Sequence, residues 1–179
     1  MDKISKRVNR LIALFTSLAM VAGPQISWAL PVGETMVSGT VSFATTPTTM
    51  TVTQTTDKAI INYDSFSIGA PETVTFLQLS PTSIALNRVT GVDPSQILGA
   101  LSANGRVFII NPNGILFGTS STVDTNGLIA STLDIADADF LADNFVFSGA
   151  AGGVIQNLGD LNSPGGFVAL LGAALRIWG

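Results

Sequence analysis

The stretch Asn111-Pro112-Asn113-Gly114-Ile115-Leu116-Phe117-Gly118 places a tight turn beside an apolar segment. Pro112 fixes φ for the second position of a type I turn, Asn113 tolerates the third position, and Gly114 suits the fourth. A second apolar segment, residues 107–110, precedes the turn. The stretch therefore predicts two short β-strands that meet at a sharp corner.

Residues 1–29 have the layout of a secretory signal peptide. Four basic residues lie within the first ten positions, an apolar run covers residues 11–23, and small residues occupy Ser27 and Ala29. A membrane anchor is the alternative, but the apolar run is shorter than the roughly 20 residues that cross a bilayer. We therefore expect cleavage between Ala29 and Leu30, and an exported domain at residues 30–179 with no transmembrane segment.

The exported part is acidic and contains no cysteine. Four of the eight basic residues lie in the signal peptide, so four remain against eleven acidic residues, a formal net charge of −7. This charge argues against nucleic acid and anionic membranes as partners, because both require clustered Lys or Arg. Without disulfides, the domain must be stabilised by apolar burial and backbone hydrogen bonds.

The remaining sequence predicts an all-β domain with short strands. Residues 35–56 are rich in Thr and Val, residues 58–68 predict a pair of strands, and Gly- or Asn-containing turn signals recur from residue 90 onward. Only residues 94–101 and 132–143 could form a helical turn. Apolar runs such as 107–110 do not alternate as half-exposed antiparallel strands do, which favours a parallel β-helix over an antiparallel β-sandwich.

An ordered series of motifs resembles the N-terminal two-partner secretion (TPS) domain of the filamentous haemagglutinin family. The motifs are INYDSFSIG at 61–69, VTF at 74–76, ALNRVTG at 85–91, PSQILG at 94–99, LSANG at 101–105, NPNGILFG at 111–118, GLIAST at 127–132 and GGFVALLG at 165–172. The resemblance covers nearly all of residues 30–179. It implies a right-handed parallel β-helix with capping strands at its N-terminus.

The resemblance also implies a function. In this family the domain directs an exoprotein of a Gram-negative bacterium through the periplasm, where the POTRA repeats of a cognate outer-membrane β-barrel transporter recognise it before it folds outside the cell. The protein is then secreted or held at the cell surface. The family's secretion motif corresponds here to Asn111, Pro112, Asn113, Gly114 and Ile115. Asn111 and Asn113 could shape a corner of the fold or contact the transporter directly.

Two departures from the family pattern are visible. The companion Asn-Pro-Asn-Leu motif of the best-known members is missing, and the sequence stops at Gly179 without a long repeat region. Family members carry their adhesive, haemolytic or toxic activity downstream of this domain. We therefore expect a domain truncated at its C-terminus. A stand-alone surface adhesin is the alternative function.

An enzyme is the less favoured alternative, because some parallel β-helices are polysaccharide lyases. Arg88 and Arg106 could act with Asp64, Asp93 or Asp124, but the chain has no His and its carboxylates lack metal-ligand spacing. We expect these arginines to pair with acids or cap turns.

A second acidic group does not form a recognisable metal site either. It lacks the Gly and Glu of an EF-hand loop, so a solvated loop or the rim of a short helix is expected. Its members are Asp134, Asp137, Asp139 and Asp143. The sequence thus predicts no enzyme, no metal and no cofactor.

Overall fold

The computed structural model describes residues 30–149 and 152–177. The described chain consists of short strands and one helical turn. In chain order these are β1 (Thr35–Ser38), β2 (Val41–Thr45), β3 (Thr49–Gln54), β4 (Lys58–Tyr63), β5 (Thr73–Leu77), β6 (Ile84–Val89), β7 (Ser95–Ile97), β8 (Ala100–Ala103), β9 (Arg106–Ile110), β10 (Ile115–Phe117), β11 (Thr122–Asp124), β12 (Gly127–Ser131), β13 (Asp134–Ile135), α1 (Asp137–Leu141), β14 (Phe147–Ser148), β15 (Val154–Asn157), β16 (Asp160–Asn162), β17 (Val168–Leu171) and β18 (Ala174–Ile177).

The strands form a parallel β-solenoid of about five turns. Sheet I has the order β1-β4-β6-β9-β12-β17, sheet II the order β18-β15-β10-β7, and sheet III the order β16-β11-β8-β5-β3-β2. The chain passes from sheet III to sheet I to sheet II in each full coil, and equivalent strands of successive coils pair in parallel. The predicted parallel β-helix is confirmed, and the antiparallel sandwich is wrong.

Two antiparallel strands cap the N-terminal end of the solenoid. β1 pairs with β4 at the end of sheet I, and β2 pairs with β3 at the end of sheet III. An uncovered first coil would offer unpaired N–H and C=O groups to other chains, and the two strands occupy most of that edge. The capping strands expected from the family resemblance are therefore present.

The interior of the solenoid is a continuous apolar core built from the inward-facing residues of all three sheets. Phe76, Ile97, Val107 and Phe117 are among its fully buried members. Leu30, the first residue after the predicted cleavage point, packs against the same core. The predicted signal peptide, residues 1–29, lies outside the described residues, so both the signal peptide and its cleavage point remain predictions.

A segment that we call the strap, residues 133–149, covers the outer face of sheet I. It contains the antiparallel pair β13 and β14 with α1 between them. Phe140 is fully buried in the strap and packs edge to face on Phe108 of β9, with ring centroids 6.0 Å apart. Residues 107–110 are therefore buried on both faces of the sheet, which is why their sequence does not alternate.

Two cations on the outer face of sheet I hold the strap. Lys58 Nζ donates to the Leu141 carbonyl at 2.7 Å and pairs with Asp143 at 2.8 Å. Arg88 pairs with two strap aspartates and donates to a strap carbonyl at 2.7 Å; the three acceptors are Asp134, Asp137 and Ile135 O. The acidic group of the sequence thus lies on and around a short helix, as predicted.

Two local predictions are wrong. Residues 94–101 form no helical turn, because β7 and the start of β8 lie there and pair with the neighbouring coils. Residues 58–68 form one strand, β4, followed by an irregular segment with isolated bridges from Ser65 to Val32 and from Ile68 to Ile97. Both segments are short and apolar, and coil stacking determined their conformation rather than local propensity.

Candidate functional site

The predicted turn lies at the corner between sheet I and sheet II. The Gly114 N–H donates to the Asn111 carbonyl at 3.1 Å, which closes the four-residue turn. Asp143 is the one non-glycine residue with positive φ in the described chain, so Asn113 has the negative φ of a type I rather than a type II turn. Gly114 has φ +122°, a backbone conformation that residues other than glycine rarely adopt. The turn was therefore predicted correctly.

Asn111 is fully buried and ties the turn to the preceding coil. Its Nδ2 donates to the Asp93 carbonyl and to Ser95 Oγ, both at 3.0 Å. Its Oδ1 accepts the Asn113 backbone N–H at 2.9 Å. Every polar atom of the side chain is thus engaged inside the domain, and the folded chain offers none of them to a partner.

Pro112 and Asn113 lie on the surface of the same turn. The Asn113 Nδ2 donates to the Gly91 carbonyl at 2.9 Å and lies 3.3 Å from Asn111 Oδ1. The side chain is accessible to solvent, but it also connects the turn to the corresponding corner of the preceding coil, between β6 and β7. Of the five motif residues, Pro112 and Asn113 are the two exposed ones.

Gly114 and Ile115 connect the turn to both neighbouring coils. The Gly114 carbonyl accepts the Ser95 N–H at 3.0 Å, and Ile115 is buried in β10 between β7 and β15. In the following coil, the Gly153 N–H donates to the Pro112 carbonyl at 2.9 Å. A Cβ on Gly153 would overlap the backbone of Asn113 and Gly114, so only glycine fits beneath the turn.

Gly153 is a site residue that sequence reasoning identified only as part of a turn. Because glycine has no side chain, it lets two backbones approach closely at a sharp corner. The Gly152-Gly153 pair was the feature of the sequence from which this close approach could have been predicted. A shallow groove of about 330 Å³ runs beside the corner, lined by Asn113, Leu116 and Val154 among others.

The charged residues considered for catalysis do not converge. Arg88 is engaged by the strap, and Arg106 lies with its guanidinium carbon 5.9 Å from the ring centre of Phe167. Burial lowers the pKa of Arg88, but hydrogen bonds to Asp134 and Asp137 outweigh this and raise the pKa above its ordinary value. The predicted pairing with acids is thus found for Arg88, whereas the contact shown for Arg106 is aromatic.

Metal binding finds no support in the described residues. In residues 30–149 and 152–177, no cluster of three or more carboxylate, imidazole or thiol side chains is placed to hold an ion. Over the same residues, no helix has the length and apolar character needed to cross a bilayer. The polar groups at the corner are amide side chains and backbone carbonyls that form hydrogen bonds with each other.

Comparison with known proteins identifies close relatives of the chain. The family model described as "TPS secretion domain" matches residues 29–179. The crystal structure of the HMW1 secretion domain from Haemophilus influenzae superposes with a TM-score of 0.76 at 37% sequence identity, over 83% of this chain and 41% of that one.

Two curated relatives are both named heme/hemopexin-binding protein and come from Haemophilus influenzae. One is 41% identical over 106 residues, and the other is 39% identical over 113 residues. These matches cover 59% and 63% of this chain but only 12% of each relative, so the chain spans a small part of the proteins it resembles. With the match over residues 29–179 and the shared β-solenoid, the chain belongs to the family of TPS secretion domains.

Proposed function

We propose that this domain is the targeting element of a two-partner secretion exoprotein and that the POTRA repeats of its cognate outer-membrane transporter bind it in the periplasm. The observation that carries the proposal is the match of residues 29–179 to the secretion-domain family, together with a fold shared with the HMW1 secretion domain. That family consists of secretion domains rather than enzymes. Its exoproteins are exported and are secreted or remain at the surface of Gram-negative bacteria.

Recognition precedes folding in this proposal. Segments such as Arg106–Ile110 and Gly127–Ser131 are buried on both faces in the folded domain, so their apolar side chains are available to a partner only before the coils stack. An extended segment of this kind can add as a strand to an exposed sheet edge of a POTRA repeat. The low charge of the domain reduces the desolvation cost of that pairing.

The motif acts through the fold in this proposal. Asn111 is fully buried and bound to Asp93 O and Ser95 Oγ, which supports a role in closing the corner rather than a contact with the transporter in the folded state. Asn113 adds a bond to Gly91 O from the surface. A chain that cannot close this corner would reach the cell surface without stacking the coil that contains the turn on the preceding coil, and folding outside would no longer bias its movement outward.

Matched alanine variants test the proposal. Asn111→Ala and Asn113→Ala should reduce export through the cognate transporter and slow refolding of the purified chain, while binding of the denatured chain to isolated POTRA repeats stays unchanged. Asn162→Ala removes the same side chain from an exposed strand position and should leave all three measurements unchanged. Loss of POTRA binding with normal refolding would instead assign the asparagines to direct recognition.

The adhesin alternative predicts a different result. Purified chain would then bind cells or glycans, whereas the targeting proposal predicts binding to POTRA repeats alone. The heme and hemopexin in the relatives' names refer to proteins of which this chain spans 12%. We therefore assign neither ligand to the described coils.

A further inference from the structure

The chain contains three Asn-Gly dipeptides, and all three lie at corners of the solenoid. They are Asn104-Gly105, Asn113-Gly114 and Asn126-Gly127. Asn-Gly is the dipeptide most prone to spontaneous deamidation, because glycine has no side chain to shield its nitrogen or restrict its rotation. The dipeptides are therefore sites of chemical modification wherever the chain is unfolded.

The reaction needs only water and the chain itself. The deprotonated amide nitrogen of the glycine attacks Cγ of the asparagine, a C–N bond forms, the Cγ–Nδ2 bond breaks, and ammonia leaves. Water then opens the resulting succinimide at either carbonyl and gives aspartate or isoaspartate. The side chain must be free to rotate toward the glycine nitrogen, and that nitrogen must be able to lose its proton.

The folded domain restrains all three asparagine side chains. Each Nδ2 donates to a backbone carbonyl in the turns that connect β5, β6 and β7. The acceptors are the Gln78 carbonyl for Asn104 at 2.7 Å, the Gly91 carbonyl for Asn113 at 2.9 Å, and the Pro81 carbonyl for Asn126 at 2.8 Å. At Asn113 the attacking nitrogen is also engaged, because the Gly114 N–H donates to the Asn111 carbonyl. Succinimide formation in the folded state therefore requires local opening of a corner.

Asn111 lies two residues from Asn113 and cannot follow this route. The residue after it is Pro112, whose nitrogen carries no proton and is already bonded to three carbons. Pro112 thus blocks succinimide formation through the following backbone nitrogen at Asn111 in every state of the chain, whereas at Asn113 only folding restrains it.

Deamidation at position 113 would prevent the corner from closing again. A carboxylate only accepts hydrogen bonds, yet this side chain faces the Gly91 carbonyl and Asn111 Oδ1, which both accept. Isoaspartate would also lengthen the backbone inside a four-residue turn. A chain modified there loses its tie to the preceding coil.

We propose that folding switches off deamidation at the three Asn-Gly corners, and that modification at Asn113 while the chain is unfolded blocks its later folding. For the export pathway proposed above, and resting on it, this would set a limit on the time the chain can spend unfolded in the periplasm. The chemistry itself concerns the purified chain and does not depend on a transporter.

Peptide mapping of the purified full chain tests the chemistry. One sample is kept folded and another in guanidinium chloride, at the same neutral pH and temperature. Brief chymotryptic digestion at mildly acidic pH then separates the sites into the peptides 102–108, 109–116 and 118–128. A gain of one dalton marks deamidation, and Asn111 is the internal control within the same peptide as Asn113.

In denaturant, all three Asn-Gly sites should react while Asn111 does not. In the folded chain, each site should react at least about tenfold more slowly, which corresponds to a corner-opening free energy of about 1.4 kcal/mol. Reaction of Asn113 in the folded chain at the denatured rate would overturn the proposal. Modification of Asn111 as fast as Asn113 would overturn the assignment of the route.

A refolding experiment tests the consequence. Chain aged in denaturant is diluted into buffer, the protease-resistant fraction is separated from the remainder, and peptide 109–116 is mapped in both. Modified position 113 should be depleted from the resistant fraction. Equal modification in the two fractions would overturn the claim that deamidation blocks folding, and neither result bears on whether POTRA repeats bind the chain.

Discussion

Replacing Phe140 by alanine should detach the strap without unfolding the solenoid. Phe140 is fully buried and packs on Phe108 and Phe145, with ring centroids 6.0 and 6.1 Å away. Truncation of a buried Phe to Ala costs about 3 to 5 kcal/mol where the surroundings cannot relax. The strap lies outside the main core, so it can detach while the solenoid stays folded. The largest loss of stability that Phe140→Ala can cause before the strap detaches is therefore the free energy with which the strap docks.

Ion pairs contribute less to docking of the strap than the aromatic contacts do. The partners of Arg88 are about half exposed, at 52% for Asp134 and 42% for Asp137. Exposed pairs of this kind contribute about 0 to 1 kcal/mol each. The aromatic cluster therefore dominates, and Phe140→Ala should affect docking more than neutralising Arg88 does.

Native-state hydrogen exchange resolved by residue measures this effect. Amides of the strap, such as Phe140 and Asn144, should lose most of their protection in the Phe140→Ala variant, while those of Arg106–Ile110 keep theirs. Leu141→Ala is the control, because this neighbouring helix residue is 44% exposed and should cost less than about 1 kcal/mol. Equal loss of protection in strap and solenoid would refute the reasoning, since it would make the strap part of one cooperative unit.

Three further predictions concern single residues. Gly114→Ala should destabilise the domain more than Gly149→Ala, and denaturant unfolding of the two variants compares them. Both glycines have positive φ, but an added Cβ at Gly114 comes within 3.0 Å of the Val154 carbonyl, whereas one at Gly149 meets no atom of the described residues within 4 Å. Burial raises the pKa of Tyr63, so the contribution of this residue to stability is complete below pH about 10. Above that pH the contribution declines by about 1.4 kcal/mol per pH unit until the folded form ionises, and Tyr63→Phe should abolish this decline. Absorbance titration reports the ionisation of this residue alone, because the chain has one tyrosine. Arg88→Gln should lower the free energy of unfolding by less than about 2 kcal/mol, and a larger loss in thermal or denaturant unfolding would show that the two pairs are more than surface contacts.

Local chemistry made the turn at Asn111 predictable, but the residues that bind the Asn111 side chain could not be predicted. Pro112 and Gly114 restrict the backbone enough to specify a turn from four residues alone. The Asp93 carbonyl lies 18 residues earlier, and its position beside Asn111 depends on the length of a whole coil. The sequence has no exact repeat from which that length could be read.

The strap could not be predicted from the sequence for a related reason. The apolar run at residues 107–110 did not alternate as a half-exposed antiparallel strand does, yet nothing in it identified a segment that would cover its outer face. The contact from Lys58 to Leu141 spans 83 residues, and only stacked coils bring the two together. Arg106 illustrates the same limit, because it was expected to pair with an acid or cap a turn, and the contact shown is with the ring of Phe167, which lies 61 residues later in the sequence.

Transporter-dependent export tests the central claim most directly. The full chain is expressed with its cognate outer-membrane transporter, with a transporter that lacks its POTRA repeats, and with none, and the folded chain outside the cell is measured by its resistance to protease. We predict protease-resistant chain outside the cell only with the intact transporter. Equal export in all three strains, or retention in the periplasm with the intact transporter, would contradict the account.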